Sequence, residues 1–234
     1  MTSKVAIVTG ASQGIGAALV PAYRKLGYSV VAVSRSVEDS GDPEVLAIRA
    51  DLSVPGEGAR VVREALARFG RVDALVNNAG VFVAKPFTEY TDEDYAAVTG
   101  TNLVGFFDIT RSAVAAMEQV GSGHVVNVST TLVEHALSAV PSALASLTKG
   151  GLTAVTKSLA VEYAARDIRF NTVALGIIKT PMHAPETHDA LAGLHPVGRI
   201  GEISDVVDAI TFLEQAGFVT GEVLHVDGGQ SAGH

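Results

Sequence analysis

The turn at residues 10–16 constrains the fold of this chain more than any other segment. Residues 5–9 before it are apolar and mostly β-branched, which is typical of a strand buried on both faces. The turn reads Gly10-Ala-Ser-Gln-Gly-Ile-Gly16, and residues 17–26 after it have a helical pattern that ends at Gly27. Pro21 is expected to kink this helix or to be tolerated in it, not to break it. A strand, a tight turn and a helix in this order predict the start of a β–α–β unit.

The same alternation of strand and helix continues along the chain. Further strands are predicted at residues 28–34, 44–50, 74–76, 124–128, 168–174 and 222–226, and further helices at residues 55–69, 92–120, 142–165 and 203–215. Because such crossovers are right-handed, the pattern predicts an α/β fold: a doubly wound, Rossmann-type parallel sheet of about seven strands between two layers of helices. No linker or repeat divides residues 1–234, so we expect a single domain. A mobile substrate loop, with or without a short helix, is expected at about residues 181–200.

Composition narrows the classes of protein that the chain can be. Its 234 residues are 47% hydrophobic, carry a formal net charge of −8 and include no cysteine. The negative charge argues against a nucleic-acid or anionic-membrane surface. The lack of cysteine excludes disulfides, thiolate catalysis and cysteine–zinc sites, and no metal site is predicted. No segment has the pattern of a signal peptide or the length of a membrane span, so a cytoplasmic protein is expected.

The glycines at positions 10, 14 and 16 have two interpretations. They let the backbone turn tightly, and they also let it approach a pyrophosphate that the amino terminus of the following helix would stabilise. Their spacing differs from the usual Gly-x-Gly-x-x-Gly fingerprint. The flanking strand and helix favour dinucleotide binding over a purely structural turn.

Several motifs, taken in order, resemble those of the short-chain dehydrogenase/reductase family. They are Thr9-Gly-Ala-Ser-Gln-Gly-Ile-Gly16, Asp51-Leu52, Asn77-Asn-Ala-Gly80, Asn102, Lys149 and Val226-Asp227-Gly228-Gly229. The resemblance covers nearly the whole chain. It implies an oxidoreductase that uses a nicotinamide dinucleotide to reduce an aldehyde or ketone, or to oxidise the alcohol. It also implies a homo-oligomer, a tetramer or dimer, that associates through two long helices.

The resemblance assigns the cofactor mainly to residues that follow the predicted strands. They are Gly10, Ser12, Gln13, Gly14, Ile15, Gly16, Ser34, Arg35, Asp51, Leu52, Asn78, Ala79, Gly80, Lys149, Gly176, Ile178 and Thr180. Ser34 offers no carboxylate to a ribose diol, and Arg35 is positioned to meet a 2′-phosphate, so NADP(H) is favoured over NAD(H). Gln13 weakens that preference, because many NADP(H)-binding members carry a basic residue there.

Some of these residues have plain structural alternatives. Arg35 is also credible as a solvated surface arginine, Asp51 as a cap or turn former, and Asn77 as a purely structural amide.

The resemblance is incomplete at the catalytic residues. The family's proton donor is a tyrosine four residues before a lysine, a spacing that puts both side chains on one helix face. Lys149 matches the lysine, which would bind the nicotinamide ribose, and Asn102 matches an asparagine that orients a proton-relaying water. Thr130 stands at the position of a serine that polarises the carbonyl. The tyrosine position is Ala145, which cannot transfer a proton.

Ala145 leaves the route of proton delivery open. The possible replacements are His135, Ser146, His183 and a water held by Asn102 and Lys149. Asn102 has a structural alternative, as a buried amide that satisfies helix backbone. Ser129 or Thr131 is an alternative to Thr130 if the loop is shifted. Leu175, where the family has proline, and the atypical residues 140–144 favour natural divergence over a single engineered substitution at position 145.

Two functions of different classes follow from these observations. The first is an NADP(H)-dependent oxidoreductase with atypical proton delivery, acting on a largely apolar carbonyl compound or alcohol. An apolar pocket is suggested by residues that are equally credible as core, namely Phe82, Val83, Leu132, Leu137 and Met182. The second is a catalytically impaired nucleotide-binding protein that serves as a sensor or structural subunit.

Overall fold

A seven-stranded parallel sheet forms the centre of the structure, a computed structural model that describes residues 3–233. The strands are β1 Val5–Thr9, β2 Ser29–Ser34, β3 Val45–Arg49, β4 Ala74–Asn77, β5 Gly123–Thr130, β6 Ile168–Leu175 and β7 Val223–Val226. Their order in the sheet is β3-β2-β1-β4-β5-β6-β7. The predicted Rossmann-type sheet is confirmed. The order reverses between β1 and β4, and open α/β sheets bind ligands at the carboxyl ends of the strands at such a point.

Helices cover both faces of the sheet. They are α1 Gly14–Lys25, α2 Glu57–Phe69, α3 Asp92–Thr99, α4 Phe106–Val120, α5 Ala143–Tyr163, α6 His188–Ala192 and α7 Ile203–Gln215. Successive residues of β1 point to opposite faces: Ile7 packs in the core with α2, α4 and α5, and Val8 packs in the core with α1 and α7. These two apolar layers hold the carboxyl edge of the sheet in place. Within residues 3–233 no helix is long and apolar enough to cross a membrane.

The prediction of one helix over residues 92–120 is wrong in one respect. The predicted cap is present, since Thr91 Oγ1 accepts the N–H of Asp94 and the Asp94 carboxylate accepts the N–H of Thr91. A π-helical turn at Gly100–Gly105, however, separates α3 from α4. Gly105 lies close to the loop that follows β3. A Cβ on Gly105 would be 2.8 Å from the Leu52 carbonyl oxygen. The wider turn accommodates this contact, and such turns are frequent at functional sites.

Two other segments differ from their predicted form. Helix α1 begins at Gly14 rather than at residue 17, and it continues through Pro21. Pro21 is on the exposed side of the helix, where water can satisfy the carbonyl that loses its partner. The segment at 181–200 contains a 3₁₀ turn at Pro185–Thr187 followed by α6, so the short-helix alternative is the one observed.

A cluster of buried polar side chains fixes the amino-terminal edge of the sheet. Glu214 on α7 accepts hydrogen bonds from the hydroxyls of Tyr23 (3.2 Å) and Tyr28 (2.6 Å) and from His124 Nδ1 (2.8 Å). Its side chain is 7% exposed. Burial alone would raise the pKa of Glu214, but the hydrogen bonds and the nearby Arg169 lower it overall, so the carboxylate is the favoured form.

Replacement of this carboxylate should therefore destabilise the protein. We expect Glu214→Gln to lower the free energy of unfolding by about 2 kcal/mol or more, since hydrogen bonds to a charged group contribute roughly 1.5–3 kcal/mol. Urea denaturation measures the change. Glu64→Gln is the matched control, because Glu64 pairs with Arg60 on an exposed helix face, and it should cost about 0.5 kcal/mol or less. Equal losses in the two variants would contradict a stabilising role for the cluster.

Candidate functional site

Thr9, the last residue of β1, ties the two central strands together at the carboxyl edge of the sheet. Its hydroxyl donates to the Val76 carbonyl (3.1 Å) and accepts the N–H groups of Asn78 and Ala79 (2.9 Å each). Asn78 Nδ2 returns a hydrogen bond to the Thr9 carbonyl at 2.8 Å. The end of β1 and the turn after β4 are thus held as one unit, and they form one wall of a cleft.

The glycine turn after β1 closes tightly against this wall. Gly10 has φ +69°, and a Cβ on Gly16 would lie 2.2 Å from the Gly10 carbonyl oxygen. No side chain caps the amino terminus of α1, so its first N–H groups are free of side-chain partners. A backbone cradle at an uncapped helix terminus suits a phosphate group. The turn therefore fits the dinucleotide that the sequence predicts.

The cleft in front of this turn brings most of the predicted cofactor residues together. Those that line it are Gly10, Ser12, Gln13, Gly14, Ile15, Ser34, Arg35, Asp51, Leu52, Asn78, Ala79, Gly80 and Thr180. Its volume is about 350 Å³. Gly16 lies behind the turn, where it allows close packing. Lys149, Gly176 and Ile178 line an adjoining cavity instead.

Arg35 and Asp51 lie on the side of the cleft formed by β2 and β3. Arg35 is exposed. Asp51 Oδ1 accepts hydrogen bonds from the hydroxyl (2.7 Å) and N–H (3.0 Å) of Ser53. These bonds, with a smaller contribution from the charge of Arg35, lower the pKa of Asp51. Asp51 is therefore a turn former that also lines the cleft. Asn77 is structural, because its amide bonds Thr110 and Asn127 inside the protein.

Lys149 stands on α5 at the boundary between the sheet edge and the adjoining cavity. Its Nζ donates to the Val128 carbonyl at 3.1 Å. Burial lowers the pKa of Lys149 to about 8, because a low-dielectric environment disfavours the charged form. Lys149 is therefore an amine that can gain or lose a proton near neutral pH.

Asn102, in the π-turn, is committed to other protein groups. Its Oδ1 accepts the N–H of Val81 (2.9 Å), and its Nδ2 donates to the Val81 carbonyl (3.0 Å) and to Thr148 Oγ1 (3.1 Å). Both amide protons are used, and the side chain is buried. The side chain thus fixes the loop backbone beside Gly80, rather than the helix backbone that the structural alternative names, and leaves no amide proton to hold a water.

The hydroxyl residues at the end of β5 differ in where they point. Thr130 lines the adjoining cavity and accepts the N–H of Leu132 at 3.3 Å. Ser129 also lines it, but its hydroxyl donates to the Lys149 carbonyl. Thr131 is fully buried and does not line the cavity. Thr130 therefore remains the best-placed hydroxyl.

Ala145 and the proposed replacements for a tyrosine are not all near the cavity. Ala145 is 1% exposed and is absent from the cavity lining. Ser146 donates to the Leu132 carbonyl, and neither Ser146 nor His135 lines the cavity. His183 does line it, on the segment after Thr180. Lys149 and His183 are thus the ionisable groups that face this space.

The adjoining cavity, about 350 Å³ in volume, is mostly apolar. Phe82, Leu132, Leu137 and Met182 line it as predicted, whereas Val83 does not. Gln230, which belongs to none of the sequence motifs, also lines it. Its only signal in the sequence is its place after the glycines at 228 and 229. A volume of this size suits a small organic molecule.

Comparison with known proteins identifies the family. A family model described as enoyl-(acyl carrier protein) reductase matches residues 10–231. The chain is a short-chain dehydrogenase/reductase. The 3-oxoacyl-(acyl-carrier-protein) reductase of Thermotoga maritima is 35% identical, and the match covers 98% of each chain.

Solved structures of other family members have the same fold. ElxO with NADP bound is 30% identical with a TM-score of 0.92, over 99% of this chain and 100% of that one. The 3-ketoacyl-(acyl-carrier-protein) reductase of Brucella melitensis complexed with NADH is 32% identical with a TM-score of 0.89, over 97% and 98% of the two chains. Each of these two related proteins holds a nicotinamide dinucleotide in its structure.

The close packing of Gly16 gives a direct test of the cleft. Gly16→Ala should weaken NADPH binding about 5- to 150-fold, because the new methyl displaces the turn and such a clash costs about 1–3 kcal/mol. Fluorescence titration of NADPH measures the effect. Gly217→Ala is the control, since a Cβ at Gly217 meets nothing within 4 Å. If both variants bound NADPH like the unmodified protein, the turn would not be the phosphate site.

Proposed function

We propose that the protein is an NADP(H)-dependent oxidoreductase that reduces an apolar aldehyde or ketone, or oxidises the alcohol, without a tyrosine as proton donor. The observation that carries the proposal is the junction of two spaces. The glycine cleft adjoins an apolar cavity, and Asn78, Gly80 and Thr180 line both. When bound, the reduced nicotinamide supplies the hydride, and this chain's residues supply orientation, polarisation and the proton.

The preference for NADP(H) rests on the end of β2. Arg35 offers a guanidinium on the cleft wall, and Ser34 beside it brings no carboxylate that would repel a 2′-phosphate or bind a ribose diol. Related structures contain either NADP or NADH, so the preference proposed for this chain rests on its own residues. Arginine is well suited to phosphate because its planar donors bind two oxygens at once.

Removal of the Arg35 side chain should therefore weaken the binding of NADPH much more than the binding of NADH. Arg35→Ala should raise the Kd for NADPH about 10- to 100-fold, since charge-assisted hydrogen bonds contribute roughly 1.5–3 kcal/mol. The Kd for NADH should change by less than about twofold. Parallel titrations give both values, with Arg63→Ala as a charge-matched control, because exposed Arg63 on α2 does not line the cleft. A similar loss for both cofactors would remove the basis for NADP(H) preference.

The proton is proposed to come from Lys149. Its Nζ lies at the cavity, and with a pKa near 8 it is mostly protonated at neutral pH yet acidic enough to donate. The other ionisable group there, His183, has its pKa lowered by burial and by His188. His183 is then mostly neutral at pH 7, a form better suited to accept a proton than to give one. Thr130, on the same wall, would polarise the substrate oxygen.

The pH dependence of reduction should show which group acts. Because Lys149 must be protonated to donate, kcat/KM for reduction should fall as pH rises through about 8. Lys149→Met should abolish this fall near pH 8 and lower kcat roughly 100-fold or more. NADPH oxidation at saturating NADPH measures both over roughly pH 6–11, a range that spans ordinary His and Lys pKa values. His183→Gln should retain the fall in kcat/KM near pH 8. If this fall in kcat/KM instead disappeared in His183→Gln, His183 would be the proton donor.

A panel of aldehydes and ketones tests the proposed function itself. Turnover above background in the unmodified protein is the expected result. Ala145, which is buried and does not line the cavity, favours a second candidate: a nucleotide-binding protein that senses or stabilises without redox turnover. Tight NADPH binding with no turnover on the whole panel would support that candidate. The cytoplasmic location and the homotetramer remain predictions from the sequence.

A further inference from the structure

Thr148, the residue before Lys149 on α5, is a buried threonine that bonds outside its own helix. Its side chain is fully buried. Its hydroxyl donates to the Leu144 carbonyl at 2.9 Å, one turn earlier in the helix. Because the proton is held there, a lone pair of Oγ1 is left to accept a hydrogen bond from Asn102 Nδ2 at 3.1 Å. The hydroxyl therefore joins α5 to the π-turn at Gly100–Gly105.

Asn102 extends this connection to the wall that the nucleotide cleft and the apolar cavity share. Its Oδ1 accepts the N–H of Val81, and its second amide proton goes to the Val81 carbonyl. Gly80 and Val81 line both spaces. The hydrogen-bonded series Thr148–Asn102–Val81 thus spans from α5 to the loop after β4.

Lys149 approaches the same wall from α5. A Cβ on Gly80 would lie 3.4 Å from Lys149 Nζ and 3.4 Å from Asn102 Oδ1. The amine and the amide oxygen are therefore both held against Gly80, although they come from different elements. The Val128 carbonyl accepts a hydrogen bond from Nζ on the side of the sheet, and that bond does not reach the wall. The spacing between Nζ and Gly80 depends on how α5 is held to the loop.

Loss of the Thr148 hydroxyl would leave a buried N–H of Asn102 without an acceptor. Asn102 is 3% exposed, and an unpaired donor at such a depth is costly. The amide would turn toward another acceptor and release Val81, or water would enter between α5 and the loop. Either change moves the Gly80 wall relative to Lys149. Water there would also relieve the burial that lowers the pKa of Lys149.

We propose that Thr148 is a positioning residue: through Asn102, its hydroxyl sets the distance between Lys149 Nζ and the wall at residues 80–81. Thr148 is fully buried and lines neither the cleft nor the cavity, so it acts without touching a ligand. For proton transfer by Lys149 this inference rests on the proposed function. For nucleotide binding it holds whether or not reduction occurs.

A second buried threonine of α5 provides a matched control. Thr156 is also fully buried, and its hydroxyl bonds the Leu152 carbonyl at 2.8 Å, again four residues earlier. It likewise accepts an asparagine Nδ2, that of Asn127, at 2.9 Å. Thr156 lines neither ligand space. Thr156→Val therefore removes the same kinds of hydrogen bond as Thr148→Val but leaves the connection through Asn102 intact.

The expected result is a difference between the two valine variants in function but not in stability. Both should unfold at a lower temperature than the unmodified protein, because each leaves an asparagine N–H unpaired. Thr148→Val should raise the Kd for NADPH about fivefold or more. It should also move the fall in kcat/KM upward from near pH 8 by about half a pH unit or more, toward an ordinary lysine pKa. Thr156→Val and Thr148→Ser, which keeps the hydroxyl, should retain the unmodified Kd and pH profile.

Fluorescence titration of NADPH and the pH profile of NADPH oxidation measure these effects. With turnover present, an unmoved Kd or an unmoved pH profile in Thr148→Val would overturn the inference. Equal changes in Thr156→Val, or in Thr148→Ser, would do so as well. If Thr148→Val does not fold, Thr148→Ala takes its place with the same expectations. A raised Kd in Thr148→Val alone, with no turnover in any of these proteins, would support this inference and count against the proposed function. Turnover with both readouts unmoved would do the reverse.

Discussion

The hydroxyl of Thr9 joins the two central strands at the edge where the sheet order reverses, and the rest of the site is built from that joint. The Thr9 hydroxyl holds residues 78 and 79 by their N–H groups, and Asn78 Nδ2 in turn donates to the carbonyls of Thr9 and Gly10 at the start of the glycine turn. The Asn102 side chain hydrogen-bonds both backbone groups of Val81, two residues further along the same segment. Residues 78–81 are therefore clamped at both ends. They form the wall that the nucleotide cleft and the apolar cavity share.

The sheet and most of the nucleotide cleft could be predicted from the sequence because they depend on local patterns. The apolar run at Val5–Thr9 and the helix at Ile203–Gln215 have the predicted bounds, since a continuous apolar run and a helical periodicity are properties of short segments. The glycine turn is equally local, because steric limits at Gly10 and Gly16 leave few other residues possible.

The parts that could not be predicted depend on contacts between distant segments. The π-turn before α4 reflects the approach of Gly105 to Leu52, which no pattern within residues 92–120 reveals. The role of Asn102 depends on the position of Val81, 21 residues away in the chain. Thr148 has an ordinary sequence context, and its bond to Asn102 joins residues 46 positions apart. Motif matching finds residue types, but pairing and exposure decide what each residue does.

The buried cluster around Glu214 lies at the amino-terminal edge of the sheet, whereas both ligand spaces lie at the carboxyl edge. The Glu214 cluster and the residues that line the ligand spaces are thus at opposite ends of the same strands. Substitutions at sites more than about 7–10 Å apart have largely independent energetic effects. Residues at the carboxyl edge, such as the alanine at 145, can therefore diverge without weakening the Glu214 cluster. In this scaffold a new substrate preference can evolve before the fold has to change.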